Sequence, residues 1–186
     1  MKRSNTFLAF LFLSAALSAN AGLIGTNVTL DYHYQGQSTT DTFAVTAGTE
    51  VSCFGGGSGN ANVCSILQAP NQTLDFGDNT ITYTYTRIGS YVASFLPSNP
   101  NGFDFLNLNL GQPIQHVLLS SSIQGLDASR LTFTANSIQL NMYDLPLGEH
   151  ESFTLTIVTN PEPSAGLLGG LGLLLVSARF VRRKRT

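Results

Sequence analysis

The sequence contains few of the residues by which nucleic-acid-binding and catalytic proteins are recognised. Its 186 residues include no tryptophan, two cysteines and only 11% charged residues. Seven of the nine basic residues lie in residues 1–21 and 161–186, and no lysine lies between these ends. Residues 22–160 contain two basic and ten acidic residues, a net charge of −8. Because binding to phosphates needs clustered lysine and arginine, we expect no nucleic-acid partner.

A recognisable catalytic motif is also missing. The glycine-rich residues 54–63 are not followed by the Gly-Lys-Ser/Thr of a phosphate-binding loop, and their spacing does not fit a nucleophile elbow. His150-Glu151 begins like a zinc-protease motif, but Thr154 stands where the second histidine is needed. His33 is expected on the polar, solvated face of its strand. We therefore expect no enzymatic activity; a hydrolase with paired carboxylates facing a cleft is the minor alternative.

Residues 1–21 have the three parts of a secretory signal peptide. Lys2 and Arg3 give a positive start, and the apolar run of residues 7–17 is too short to span a bilayer core of about 30 Å. Ala19 and Ala21 place small side chains at the two positions that a signal peptidase reads. We predict a signal helix that is cleaved after Ala21, with an uncleaved anchor helix as the alternative.

Residues 161–186 combine three features in order. Pro161-Glu162-Pro163 comes first, and an uncharged stretch rich in leucine and glycine follows over residues 164–178. A transmembrane helix over residues 164–181 would be about 27 Å long, enough to cross a bilayer if its terminal arginine reaches the interface. The chain then ends in a basic cluster, which comprises Arg179, Arg182, Arg183, Lys184 and Arg185. Since lysine and arginine stay on the cytoplasmic side, residues 22–160 are expected outside the cytoplasm.

This tail resembles the PEP-CTERM sorting signal of Gram-negative bacteria, and the resemblance covers residues 161–186. It implies transient anchoring in the inner membrane with the domain facing the periplasm, processing by exosortase near Pro161-Glu162-Pro163, and transfer to the cell surface or extracellular matrix. Proteins with this tail are associated with exopolysaccharide production and with biofilm or floc formation. An ordinary single-pass anchor is the alternative. Gly166 and Gly170 have the spacing that lets two membrane helices approach closely.

Residues 22–160 alternate apolar and polar side chains with a period of two, which predicts half-buried β-strands. Residues typical of turns separate these runs, and no amphipathic helix lies between them. The alternating runs cover residues 28–34, 80–86, 106–110, 131–134, 138–142 and 153–157. We predict an all-β domain, an antiparallel, jelly-roll-like β-sandwich of eight to ten strands. A sheet closed on itself is the alternative.

The two cysteines are predicted to pair. Cys53 and Cys64 enclose ten residues of a glycine-rich loop, which is flexible enough to close without strain. In an exported chain the simplest outcome is one disulfide, and a catalytic thiol is the minor alternative.

An acidic turn is a weak candidate for a calcium site. Asp75, Asp78 and Asn79, with Asp104 as a possible further ligand, offer the oxygen atoms that calcium prefers. The same residue types are typical of turns, and their spacing matches no EF-hand loop. We therefore favour a turn without metal, and we expect no other cofactor.

These predictions favour an exported structural or adhesive protein on or within an exopolysaccharide matrix. The expected partners are signal peptidase and exosortase during export, and exopolysaccharide afterwards. The alternative is a carbohydrate-binding module, with or without calcium. Such a module would expose aromatic side chains that otherwise belong to the core, and the candidates are Tyr91, Phe95, Phe103 and Tyr143.

Overall fold

Regular structure in the computed structural model is almost entirely β. The structure describes residues 22–86, 93–95 and 100–160. The predicted signal peptide and sorting tail lie outside these residues. Within the described ranges, no helix is both long enough and apolar enough to cross a membrane.

The described residues form thirteen strands and two short 3-10 helices. The strands are β1 Asn27–Tyr34, β2 Gln37–Ala44, β3 Val51–Gly55, β4 Ser58–Gly59, β5 Gln72–Phe76, β6 Thr80–Thr86, β7 Ala93–Phe95, β8 Gly102–Leu106, β9 Ile114–Ser121, β10 Leu131–Phe133, β11 Ile138–Asn141, β12 Leu145–Leu147 and β13 His150–Thr159. The 3-10 helices cover Asn62–Ser65 and Ala128–Arg130.

Two large sheets and one small one hold these strands. The five-stranded sheet has the order β10-β11-β8-β1-β2, and the six-stranded sheet has the order β4-β3-β5-β6-β13-β9. β12 and β7 form a separate pair. Every pairing among the described strands is antiparallel, which confirms the predicted all-β, antiparallel class. Neither large sheet closes on itself within the described residues.

The predicted alternation decides which face of each sheet is buried. In β6, Ile81, Tyr83 and Tyr85 are fully buried, and the threonines between them are only partly buried. The same pattern holds in β1 and β13, where successive side chains point to opposite faces of the sheet. One face of each large sheet therefore contributes to the core, and the other meets solvent.

Aromatic side chains join the two sheets. Phe103 on β8 lies 4.9 Å from Tyr32 in the same sheet, measured between ring centroids. It also lies 5.7 Å from Tyr83 and 6.0 Å from Phe153, which belong to the six-stranded sheet. Phe76 and Phe105 make a further contact between the sheets at 5.8 Å. Pairs at these separations add about 0.5–1.5 kcal/mol each beyond area burial, and the arrangement is consistent with a β-sandwich.

Three sequence-based strand predictions differ from the structure. The strand predicted at residues 106–110 lies earlier, at Gly102–Leu106, because Asn107 adopts a left-handed backbone with φ of 59° and ends the extended run. Leu108 and Leu110 are still buried, but in a loop. Phe133 was expected in the core and is 41% exposed, because β10 is a short strand at the sheet edge. The number of strands also exceeds the eight to ten predicted.

The predicted disulfide between Cys53 and Cys64 is present. It joins β3 to the first 3-10 helix and is buried. Gly59 of β4 lies so close to Cys64 that an added Cβ would overlap its sulfur, so this position requires glycine. The Asp41 carboxylate accepts hydrogen bonds from the N–H groups of Asn62 at 3.1 Å and Val63 at 2.7 Å. Together these contacts attach the glycine-rich loop to both sheets.

Candidate functional site

A cluster of polar side chains lies on the outer face of the five-stranded sheet. Leu30 and Tyr32 of β1 point into the core, so Asp31 and His33 point outward. On β8, Phe103 and Phe105 likewise point into the core, so Asp104 between them points to the outer face of the sheet. The antiparallel register places Asp31 directly opposite Asp104.

His33 links the two carboxylates. Its Nε2 atom lies 3.1 Å from Oδ2 of Asp104 and 3.5 Å from Oδ2 of Asp31. The three side chains are only 20–23% exposed. Like charges directly opposite each other destabilise a sheet, and the imidazole of His33 lies between the two aspartates and forms a hydrogen bond with Asp104. Asp31 Oδ1 is buried and has no hydrogen-bond partner among the described residues.

A small pocket opens beside this cluster, which we call the His33 pocket, with a cavity volume of about 110 Å³. Gly102 is among its lining residues, and its φ of 152° and the nearby Leu140 carbonyl leave no room there for a Cβ. Asn101 is 2% exposed and accepts a backbone hydrogen bond from Met142 at 2.8 Å. The lining consists of His33, Pro100, Asn101, Gly102, Asp104, Gln139, Leu140 and Asn141.

The lining of the His33 pocket combines one carboxylate, one imidazole and three side-chain amides. Amides donate and accept, a carboxylate accepts, and an imidazole does either according to its tautomer. Such a set can bind a neutral ligand that carries several hydroxyl groups. Within the part of the chain that the structure describes, no group of three His, Cys, Asp or Glu side chains is arranged to hold a metal ion.

Two titratable groups of the core lie near or beneath this face. Tyr32, between Asp31 and His33 in sequence, points inward and is 2% exposed. Burial, and the neighbouring Tyr34, raise the pKa of its hydroxyl far above the usual value. Burial likewise raises the pKa of Tyr83, whose hydroxyl donates to Oε1 of the buried Gln72 at 2.5 Å. Both hydroxyls stay protonated in the folded protein.

The weak calcium candidates do not come together with Asp104. Asp75 lies on β5 opposite Thr82, in the six-stranded sheet, whereas Asp104 lies in the five-stranded sheet. Asp78 and Asn79 form the turn between β5 and β6, and their carbonyls accept hydrogen bonds from Leu23 and Ile157, each at 2.7 Å. These contacts give the turn a structural role, and the turn without metal that the sequence favours stays a prediction.

The predicted processing residues lie outside the described residues. These are Ala19 and Ala21 of the signal peptide, Pro161, Glu162 and Pro163 of the sorting motif, and the basic cluster Arg179, Arg182, Arg183, Lys184 and Arg185.

The candidate aromatic ligands for a carbohydrate divide into two groups. Phe95 and Phe103 are buried, at 3% and 0% exposure, and serve the core. Tyr143 is 39% exposed, and Tyr91 lies outside the described residues. Phe54, which the sequence did not single out, is the most exposed large apolar side chain described, at 66%. Of these aromatic residues, the four that the structure describes do not line the His33 pocket.

Sequence reasoning placed His33 on an outer face but missed the cluster around it. His33 and Asp104 are 71 residues apart, and only the strand register brings them together. The alternation around Asp31 and Asp104 is a signal that both point outward, but it does not show which strands are neighbours. Comparison of the chain with protein-family models, with curated proteins and with solved structures finds no match.

Proposed function

We propose that this protein is an exported cell-surface or matrix protein, delivered by an exosortase-type system and structural or adhesive in exopolysaccharide. Residues 22–160 form its jelly-roll-like β-sandwich, residues 1–21 its signal helix, and residues 161–186 its sorting tail with a transmembrane helix. The observation that carries the proposal is the order of Pro161-Glu162-Pro163, an apolar stretch and a basic cluster at the C-terminus. The domain acts by binding and packing, without catalysis.

Two features of residues 22–160, the disulfide and the net charge, support the proposal that the domain is delivered outside the cytoplasm. Disulfides persist in oxidising compartments and are rare in the cytosol, and the Cys53–Cys64 bond is buried in the fold. The net charge of −8 over residues 22–160 favours solubility among acidic or neutral polymers.

The sorting proposal is tested by changing the tail in the cell that exports the protein. Deletion of residues 161–186, or replacement of Pro161, Glu162 and Pro163 together by alanine, should prevent transfer to the surface. The triple variant should accumulate in the inner-membrane fraction, because its apolar stretch and basic cluster remain. Pro146→Ala is the matched control, since Pro146 lies on an exposed position of β12 outside the tail. Unchanged surface labelling of the deletion variant would refute the proposal.

A second candidate function is carbohydrate binding, which the His33 pocket specifically favours. Planar amide and carboxylate groups can each form two hydrogen bonds with adjacent sugar hydroxyls. Gln139, Asp104 and Asn141 provide such groups on neighbouring strands around one cavity. A hydroxyl-rich polymer is also the material that the proposed location supplies.

Binding to a glycan array, with calcium and with a chelator, tests this second function. Asn141→Ala and Gln139→Ala should lower the affinity for any bound glycan by about tenfold, because each removes a hydrogen-bonding group from the pocket. Gln115→Ala is the matched control, since Gln115 is an exposed glutamine on β9, in the other sheet. No binding on the array, or equal loss in the control, would refute the glycan site and leave the sorting proposal intact.

A further inference from the structure

β9, Ile114–Ser121, is an eight-residue strand at the edge of the six-stranded sheet. It pairs with β13 on one side, and no described strand pairs with it on the other. An edge strand presents unpaired N–H and C=O groups, which form a template for another strand. The length of β9 makes this template larger than those of β4 and β10, which have two and three residues.

The other long edge is protected. Among the described residues, β9 has a backbone hydrogen bond outside its pairing with β13 and the turn after it only at its first residue, where the N–H of Ile114 donates to the carbonyl of Ala135 at 2.9 Å. β2 carries Asp41, which is directed toward the loop beside it and holds the N–H groups of Asn62 and Val63. Inward charged residues and covering loops are two devices by which sheet edges avoid pairing. β9 contains no acidic residue, no lysine, no arginine and no proline.

The hydrogen bonds of β9 show which backbone groups face outward. The N–H of Ser122 donates to the carbonyl of Ser152 at 3.0 Å, so Ser122 is directed toward β13. In an antiparallel pair this direction alternates from one residue to the next. The N–H and C=O groups of Val117, Leu119 and Ser121 therefore point away from β13, toward the open edge.

Exposed apolar side chains lie beside this edge on the outer face of the six-stranded sheet. Leu118 is 61% exposed and lies opposite Thr156 of β13. Val158, two residues further along β13, is 38% exposed and is a diagonal neighbour of Leu118 on the same face. Leu118 thus lies between the outward-facing backbone groups of Val117 and Leu119.

Charge indicates what occupies this edge. Residues 114–126 contain no acidic, lysine or arginine residue, although residues 22–160 carry ten acids. A basic partner would find no charge to recognise on β9. A second copy of this acidic chain can approach here without placing carboxylates against carboxylates.

We propose that two copies of this protein pair antiparallel through β9, with Leu118 facing Leu118 of the second copy at a two-fold axis. Val117 then lies opposite Leu119 of the second copy, and His116 lies opposite Ser120. This register joins outward-facing backbone groups to outward-facing groups, as a hydrogen-bonded pair requires. The two six-stranded sheets become one continuous sheet. The pairing does not depend on the sorting tail or on the His33 pocket.

Cysteine cross-linking of the full chain tests the pairing and its register. In Leu118→Cys the two introduced cysteines would face each other in a non-hydrogen-bonded pair, with Cα atoms about 4.5 Å apart, within the range of a disulfide. In Ser120→Cys, the matched control, they would be offset by four residues, roughly 13 Å. We expect a covalent dimer under mild oxidation for Leu118→Cys, none for Ser120→Cys alone, and one when Ser120→Cys is mixed with His116→Cys.

The register control separates this dimer from one formed through the tail. If the two copies associated through Gly166 and Gly170 instead, cysteines at position 118 and at position 120 should cross-link to the same extent. Absence of a cross-link for Leu118→Cys, or equal cross-linking of Ser120→Cys, would overturn the proposal.

A charge variant provides an independent measurement. Leu118→Lys changes an exposed side chain, so folding is preserved, but it places two ammonium groups at the two-fold axis. Sedimentation of the full chain in detergent should show a dimer dissociation constant raised by at least about tenfold. Phe54→Lys, at a more exposed apolar position distant in sequence, is the matched control and should leave the constant unchanged. An unchanged constant in Leu118→Lys would also overturn the proposal.

Discussion

His33 lies between two carboxylates that the antiparallel register places opposite each other. At the scale of single residues, this cluster shows how the strand register places two acidic side chains and a histidine next to one another. Without the imidazole, Asp31 and Asp104 would face each other at about one-fifth exposure with no donor between them. His33 therefore stabilises the sheet face as well as lining the pocket.

His33→Ala should lower the free energy of unfolding by about 1 kcal/mol, because it removes the hydrogen-bond partner of Asp104 and leaves Asp31 and Asp104 facing each other. Urea denaturation at neutral pH measures this change. Adding Asp104→Asn to His33→Ala should recover part of the loss, since the repulsion is then removed. His150→Ala, at an exposed position at the start of β13, is the control. A greater loss of stability in the double variant would contradict the assigned role.

Tyr32 and Tyr83 give a prediction at alkaline pH. Burial raises the pKa of both hydroxyls in the folded state, so the folded protein keeps two protons that the unfolded chain releases near pH 10. Stability should therefore be unaffected below this pH and fall as the pH rises above it. Absorbance of tyrosinate measures ionisation, and circular dichroism measures folding. Ionisation of all six tyrosines while the fold persists would contradict the burial of these two hydroxyls.

At the scale of elements, alternation predicted the strands that bury one face. It identified β1, β6, β11 and β13, where apolar side chains recur at every second residue. It missed β2, whose only large apolar side chain is Phe43, because pairing with all eight residues of β1 holds that strand in place. Sequence also could not place the cluster of Asp31, His33 and Asp104, since register between distant strands depends on the whole fold.

The predicted disulfide is an element-scale feature with a measurable stability. Replacing Cys53 and Cys64 together by serine should lower the free energy of unfolding by roughly 3 kcal/mol, through the greater entropy of the unfolded chain and the loss of buried packing. The midpoint of urea denaturation, compared with that of the oxidised protein, measures the loss. Ser65→Ala, exposed beside the loop, is the control. An unchanged midpoint would show that the loop contacts alone hold this region.

At the scale of the whole molecule, two antiparallel sheets share one aromatic core, and their outer faces carry different features. The five-stranded sheet presents the polar His33 pocket, and the six-stranded sheet presents the edge strand β9, which has no acidic residue, lysine or arginine. The proposed pairing through β9 leaves the pocket on a different sheet. A dimer would then carry two of the proposed glycan sites, a geometry suited to cross-linking a polymer matrix.

The mass of the mature protein tests the central proposal, export and sorting, most directly. Intact mass spectrometry of the protein released from the cell surface should give a chain that begins at Gly22 and ends near Pro161–Pro163. Its mass should also include the Cys53–Cys64 disulfide. A surface protein that retains residues 164–186 would contradict processing of the tail, and one that retains residues 1–21 would contradict the signal peptide.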